Sequence, residues 1–298
     1  MQEIDLFLNY LTVERRFSKH TIISYQTDLG QFSKFIRDTY EIDDVKDVSH
    51  LFIRSWVVSL MENGIDPKSV NRKITALRSF YKFLIKTGVI DRNPMLKIQA
   101  PKVSKKLPEF LDDKKMDALF DNMSNDGSVY EQARDFLILD FFYRTGVRLS
   151  ELIELKIENV NLHNLSVTVT GKRNKVRQIP ITIGFKQVIE KYLKLRKEFL
   201  NDLSMNCHYF FTDNKGNKMY PVFVYRIVKA NIKMVSTGKK KSPHILRHTF
   251  ATTMLNNGAD INAIKELLGH SNLSATQVYT HNTIEKLKEV YKQAFPKA

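Results

Sequence analysis

The sequence predicts a mainly α protein with a small β-sheet, divided into two domains. Three observations predict it. Apolar residues recur at helical spacing through most of the first hundred positions, and a proline- and lysine-rich stretch at 93–108 shows no periodicity. One run of alternating apolar residues, "NLSVTVTGKRNKVRQIPIT", stands among further helical segments. At 298 residues the chain has the length of two ordinary domains.

The first domain, 1–92, reads as a small helical bundle, with helices at about 2–13, 19–38 and 48–63 joined by short loops. A fourth helix is the best marked. In "DPKSVNRKITALRSFYKFLIKTG", Asp66 suits the N-cap, Pro67 the first helical position, and Gly88 a left-handed stop. Val70, Ile74, Leu77, Tyr81 and Leu84 form one apolar stripe, which sets Arg72, Lys73, Lys82 and Lys86 mostly on a basic side. Residues 93–108, "NPMLKIQAPKVSKKLP", read as an extended linker whose four lysines either follow a phosphate backbone or are simply solvated. In the second domain, 109–298, alternating Val167 and Val169, then Val176, Ile179 and Ile181, flank "GKRNK" and predict a β-hairpin with a basic tip.

Composition narrows the function. The chain carries 47 basic and 32 acidic side chains, a net charge of +15, and nucleic acid is the default partner for such a surplus. Most of it lies beyond the first domain: residues 1–100 hold 15 basic and 12 acidic groups, the remainder 32 and 20. The longest apolar run, "DFLILDFFY", is far short of a membrane span of roughly 20 residues, and "MQEIDLFLNY" lacks a basic start and an apolar signal core. Cys207 is the single cysteine, so no intramolecular disulfide or multi-cysteine zinc site can form. A cytoplasmic protein without membrane insertion is expected.

Chemistry concentrates in a few segments of the second domain. "SPHILRHTFAT" places His244, Arg247 and His248 at a helix start. Histidines four apart can ligate metal, but the glutamate of a helical zinc motif is missing and a guanidinium beside the ligands would repel a dication. A phosphate suits the segment better. Ser242 can cap, Pro243 fits the first turn, the free amides and helix dipole favour an anion, and Arg247 can bind two phosphate oxygens; His248 is the better candidate for a partly buried packing residue. In "YRTGVRLSELIELK", Gly146 permits a tight turn and Arg148 opens a helix, where it either meets an anion or pairs with Glu151 or Glu154 on the surface. "DINAIKELLGHSNLSATQVYTHNT" has Asp260 as a cap, Gly269 as a stop, His270 next, and Tyr279 nine residues later. Taken alone, Lys172 on the hairpin tip is a solvated turn residue or a functional cation, and Tyr279 a core residue or a nucleophile.

As a set, these residues match metal-independent phosphoryl transfer on DNA. Two guanidiniums can neutralise the non-bridging oxygens of a pentavalent phosphorus, a tyrosine can attack it, a lysine can protonate the departing sugar oxygen, and a histidine can accept the tyrosine proton. With a free pKa near 10, a tyrosine needs such a base or a strongly positive pocket.

The motifs "TGVRLSEL", "GKRNKVRQIP", "SPHILRHTFAT", "LLGHS" and "TQVYTH", in this order and spacing behind a helical domain, resemble the tyrosine recombinases of the lambda-integrase class, and among them the Xer subfamily, most of all its XerD branch. The likeness spans nearly the whole chain. It implies an N-terminal helical core-binding (SAM-like) domain and a mixed α/β catalytic domain that together form a clamp on duplex DNA. It also implies catalytic roles for Arg148, Lys172, His244, Arg247, His270 and the nucleophile Tyr279, with no metal, ATP or other cofactor. Two departures stand out: Arg173 occupies a position where the family commonly has glycine, and Ala275 precedes Thr276 where it commonly has two threonines. The terminal "NTIEKLKEVYKQAFPKA" has Thr283 as a possible cap and Ile284, Leu287 and Tyr291 on one face. Such a helix can fold back on its own domain, but the resemblance implies docking on a neighbouring protomer, and a protomer contact is the expectation.

The expected activity is site-specific recombination through a 3′-phosphotyrosyl link and a Holliday junction, resolving chromosome dimers at a dif-like site in chromosome partition and cell division. The resemblance implies a XerC-type partner in a tetramer and control by an FtsK-like DNA translocase. A mobile-element integrase is the rival within the enzyme class. A non-catalytic DNA-binding protein of the same fold is the rival outside it.

Overall fold

The computed structural model describes residues 2–104, 109–123, 126–171, 174–238, 241–269 and 281–294, with side chains from 287 onward in the last of these. The chain divides into two units, Met1–Lys106 and Leu107–Ala298.

Four helices build the first unit: α1 Gln2–Val13, α2 Lys19–Tyr40, α3 His50–Glu62 and α4 Pro67–Lys86. Three of them start on a local signal. The side chains of Ser18, Ser49 and Asp66 accept backbone N–H bonds at the starts of α2, α3 and α4, and Gly88 turns left-handed just after α4. The expected stripe of α4 is buried throughout, and Phe80 joins it against Phe7 of α1 at a ring separation of 5.5 Å.

Lys73 departs from the expected basic side. It is buried and donates to Asp28 of α2 at 2.9 Å, while Arg72 reaches the same carboxylate from a more exposed position. A charge that is buried must be paired, and Asp28 is the pair that periodicity alone does not reveal. The 93–108 stretch is also not uniformly extended. Asn93 caps a short 3₁₀ turn, Pro94–Lys97, and Met95 and Ile98 enter the core of the first unit, where Arg78 donates to the Ile98 carbonyl at 2.8 Å.

The second unit is built on α6, Val129–Thr145. Residues 137–142, Leu-Ile-Leu-Asp-Phe-Phe, are all buried, so this helix is enclosed on all sides and shows little amphipathic pattern. A reciprocal capping box of Ser128 and Glu131 starts it. Around it lie α5 Asp113–Asp121, α7 Leu149–Glu154, α8 Ile183–Asp202, α9 Pro221–Val235, α10 Pro243–Asn256, α11 Ile261–Leu268 and α12 His281–Ala294. The sheet has order β1-β2-β3, with β1 Val160–Asn161, β2 Ser166–Thr170 and β3 Val176–Pro180, antiparallel throughout. No described helix is long and apolar enough to cross a membrane.

The hairpin corrects the expected strand phase. Gly171 N–H donates to the Lys175 carbonyl at 2.7 Å, which sets Val167 opposite Ile179 and Val169 opposite Arg177. Arg177, Ile179 and Ile181 therefore face the core, while Val176 is exposed. Leu287, Tyr291 and Ala294 of α12 are buried in the same core, and the Tyr291 hydroxyl donates to the Arg144 carbonyl at 2.9 Å. In this single chain α12 is folded back on its own domain. The side chains of Thr283 and Ile284 lie outside the described residues.

Gly146 ends α6 in the left-handed region, at φ 59°. A Cβ there would stand 2.5 Å from Phe250 Cδ1 and 2.9 Å from Leu268 Cδ2, both buried side chains. Gly146→Ala is expected to cost about 2–4 kcal/mol, combining left-handed strain with overpacking. Urea unfolding should show it as a lower midpoint at unchanged slope.

Candidate functional site

The C-terminal end of α11 gathers the site. Asp260 caps its start by accepting from the amides of Asn262 and Ala263, and Gly269 closes its end in the left-handed region, at φ 63°. A helix ends with carbonyls that lack intrahelical partners and carry the negative end of its dipole. Here successive ones accept from different arginines: Leu267 from Arg177 Nε at 2.6 Å, Leu268 from Arg247 Nη2 at 2.6 Å, and Gly269 from Arg148 Nη2 at 3.0 Å.

Arg148 is the N-cap residue of α7, and it does pair with Glu151, but not on the surface. Glu151 is buried, and its carboxylate accepts from the Arg148 amide and Nη1, each at 2.7 Å, and from Arg177 Nη1 and Nη2, each at 2.8 Å. Burial alone would raise the Glu151 pKa; the bonds and charge of Arg177, followed by the bonds from Arg148, bring it down to about 2. Its contribution to stability is thus complete above its ordinary value of 4.5 and is lost as pH falls through about 2.

Arg247 lies one turn into α10. It is 8% exposed and bonds the carbonyls of Gly146 and Leu268, joining the ends of α6 and α11. Burial, then the charges of Arg148 and Arg177, pull its pKa down to about 10. Arg148 keeps 30% of its side chain exposed. At the start of α10, Pro243 takes the first turn and His244 is exposed. Ser242 occupies the N-cap position but its side chain makes no capping bond, contrary to expectation, so the first amides of α10 are not capped from there. His248 is exposed, not partly buried as expected.

The fold thus brings Arg148 and Arg247 to one helix end, with His244 one turn from Arg247. Lys172, Arg173, His270 and Tyr279 lie outside the described residues. Two contributors escaped sequence reasoning. Glu151 reads only as a surface partner, and Arg177 carries no motif, although its two-residue spacing from Ile179 marks it as an arginine on a core-facing strand position. Among these described groups three guanidiniums face one carboxylate, which leaves positive charge for an anion to neutralise.

A family model described as "Phage integrase family" matches residues 109–286, and one described as "Phage integrase, N-terminal SAM-like domain" matches residues 4–88. A protein named tyrosine recombinase XerC from Pediococcus pentosaceus is 37% identical, over 100% of this chain and 99% of its own. Another of that name from Chlorobaculum tepidum is 36% identical, over 98% of this chain and 94% of its own. These names do not support the XerD branch that the motifs suggested. Among solved structures, XerH recombinase bound to its palindromic difH substrate matches with a TM-score of 0.71 at 21% identity, covering 93% of this chain and 81% of that one. The integrase of transposon Tn1549 in complex with circular-intermediate DNA gives 0.73 at 19% identity, covering 95% and 98%. At such identities these two likenesses speak for the fold.

Proposed function

The chain belongs to the phage integrase family, as a site-specific tyrosine recombinase that cuts and rejoins DNA, and on that premise we propose that it resolves chromosome dimers at a dif-like site. One observation carries the assignment of chemistry to residues: the guanidiniums of Arg148 and Arg247 share one helix end with excess positive charge, and burial and mutual repulsion depress the Arg247 pKa. Such a pair is relieved by an anion, and the scissile phosphate is the anion this family acts on.

In the proposed mechanism Arg148 and Arg247 hold the non-bridging oxygens, with His244 beside them at the start of α10. The Tyr279 oxygen attacks phosphorus, His270 takes its proton, and a 3′-phosphotyrosyl bond forms as the bond to the 5′ oxygen breaks. Lys172 delivers a proton to that oxygen, leaving a 5′ hydroxyl. A 5′ hydroxyl from the partner duplex then reverses the step and releases Tyr279. The phosphodiester energy stays in the tyrosyl bond, so the cycle balances without a further reactant.

The relatives' names suggest the XerC-like member of a recombinase pair, which inverts the expected partner: a XerD-type recombinase would complete a tetramer on duplex DNA, with α12, folded back on its own domain in the single chain, released to link protomers and an FtsK-like translocase controlling the reaction in the cytoplasm. The rival outside the enzyme class, a non-catalytic binding protein, can use arginines on phosphate but has no need of the Tyr279 hydroxyl. Incubation with a nicked duplex bearing a candidate dif-like site, without metal or ATP, should yield a covalent protein–DNA adduct on a denaturing gel. Tight, specific binding with no adduct, even after a partner recombinase and translocase are added, would refute the catalytic reading.

A further inference from the structure

We infer that Arg177 is a positioning residue for strand cleavage, holding Glu151 and the end of α11 where Arg148 can act on DNA; this deepens the recombinase reading above and rests on it.

The geometry separates Arg177 from the arginines proposed to touch phosphate. Its side chain is 4% exposed, against 30% for Arg148. Every nitrogen of its guanidinium is engaged: Nη1 and Nη2 each reach Glu151 at 2.8 Å, and Nε reaches the Leu267 carbonyl at 2.6 Å. A planar fork with a third donor on its flank can make these bonds together, whereas an ammonium cannot.

The charges explain what the contact achieves. With Arg148 alone, Glu151 would form a closed neutral pair and tie up the guanidinium. Arg177 supplies the second cation, so Glu151 is satisfied while the group keeps net positive charge toward the open side of Arg148. The other arm acts on the backbone. By gripping Leu267, Arg177 fixes the last turn of α11, and the chain passes from there through Gly269 directly to His270. Gly269 belongs to the same fit, because a Cβ at that position would lie 3.3 Å from Arg177 Cδ and Nη1. Arg177 stands on β3, the strand that follows the Lys172 hairpin. One buried side chain therefore connects the strand after Lys172, the Glu151–Arg148 pair and the helix before His270.

The test uses the full chain and a nicked duplex that the wild-type protein binds and cleaves. Arg177→Lys keeps the charge but loses the fork. At saturating DNA it should form the covalent adduct about 10-fold more slowly or worse, with Kd within about threefold of wild type, because binding contacts remain. Arg177→Gln, which also removes the charge, should be slower again, by about 100-fold from wild type. A packing role alone would not separate chemistry from binding or grade the rate by charge. Arg177→Lys at the wild-type rate overturns the inference, as does affinity that falls in step with rate. Should Arg177→Gln fail to fold, the lysine variant and Glu151→Gln/Arg177→Gln, which removes one charge of each sign and so keeps the net charge, decide the matter: a double variant that cleaves at the wild-type rate overturns the inference, and one slowed about 10-fold or more supports it. A wild-type protein that forms no adduct would instead overturn the cleavage chemistry itself.

Discussion

Replacing Tyr279 by Phe should abolish the covalent protein–DNA adduct, a loss of about 10⁴-fold or more, while Kd stays within about twofold. Phenylalanine keeps the ring and removes only the oxygen proposed to attack phosphorus. Binding depends on the many basic groups that meet the DNA backbone, and none of those is altered. The expectation follows from the surroundings of other tyrosines too. Tyr81, Tyr192 and Tyr291 are buried, and burial drives their pKa values above the ordinary 10, which disfavours the phenolate. Tyr291 is further committed to the Arg144 carbonyl. A tyrosine brought toward positive charge has the opposite tendency, and the arginines at the end of α11 carry such charge. A Phe variant that still forms the adduct would sink the nucleophile assignment; one that loses DNA affinity in parallel would sink the claim that Tyr279 acts in chemistry and not in binding.

How far the sequence could be read depended on whether the cause of each feature was local. The helices of the first unit were legible because caps and periodicity lie within a few residues of the element they define: Asp66, Pro67 and the Val70 to Leu84 stripe all act within α4. Gly269 was legible as a stop, and Gly146 as a tight turn, for the same reason, since each adopts the left-handed region at the end of its own helix. What pairing decides was not legible. Lys73 reads as a surface base until Asp28, 45 positions earlier, is brought against it, and Glu151 reads as a surface acid until Arg177 arrives from β3. The hairpin failure is of another kind. Val176 joins the alternating apolar set by hydropathy, yet strand alternation from Ile179 and Ile181 assigns the inward position to Arg177. Periodicity should have outweighed hydropathy there, and the arginine it points to proves to be the centre of the buried network.

Removing Arg247 should separate stability from chemistry. Its guanidinium donates to the carbonyls of Gly146 and Leu268, and Arg247→Ala leaves both without that partner. Each buried acceptor so abandoned costs about 1–3 kcal/mol. An opposing term is visible in the same side chain. Its pKa has fallen from 12.5 to about 10 through burial and the neighbouring charges of Arg148 and Arg177, so the folded protein holds this charge less favourably than the unfolded chain does at neutral pH. Deleting it relieves that cost, and the net loss in a urea melt should be only about 1–2 kcal/mol. Catalysis has no such offset, because the repulsion is what an arriving phosphate neutralises. Cleavage should fall about 10³-fold in Arg247→Ala. Arg247→Lys should recover little of it, since a point charge cannot serve two carbonyls and a phosphate together. The same linkage makes DNA a stabilising ligand: saturating duplex should raise the melting temperature of the wild type more than that of Arg247→Ala. Equal shifts in the two proteins, or cleavage by the variant within tenfold of wild type, would show that Arg247 braces the ends of α6 and α11 without gripping the phosphate.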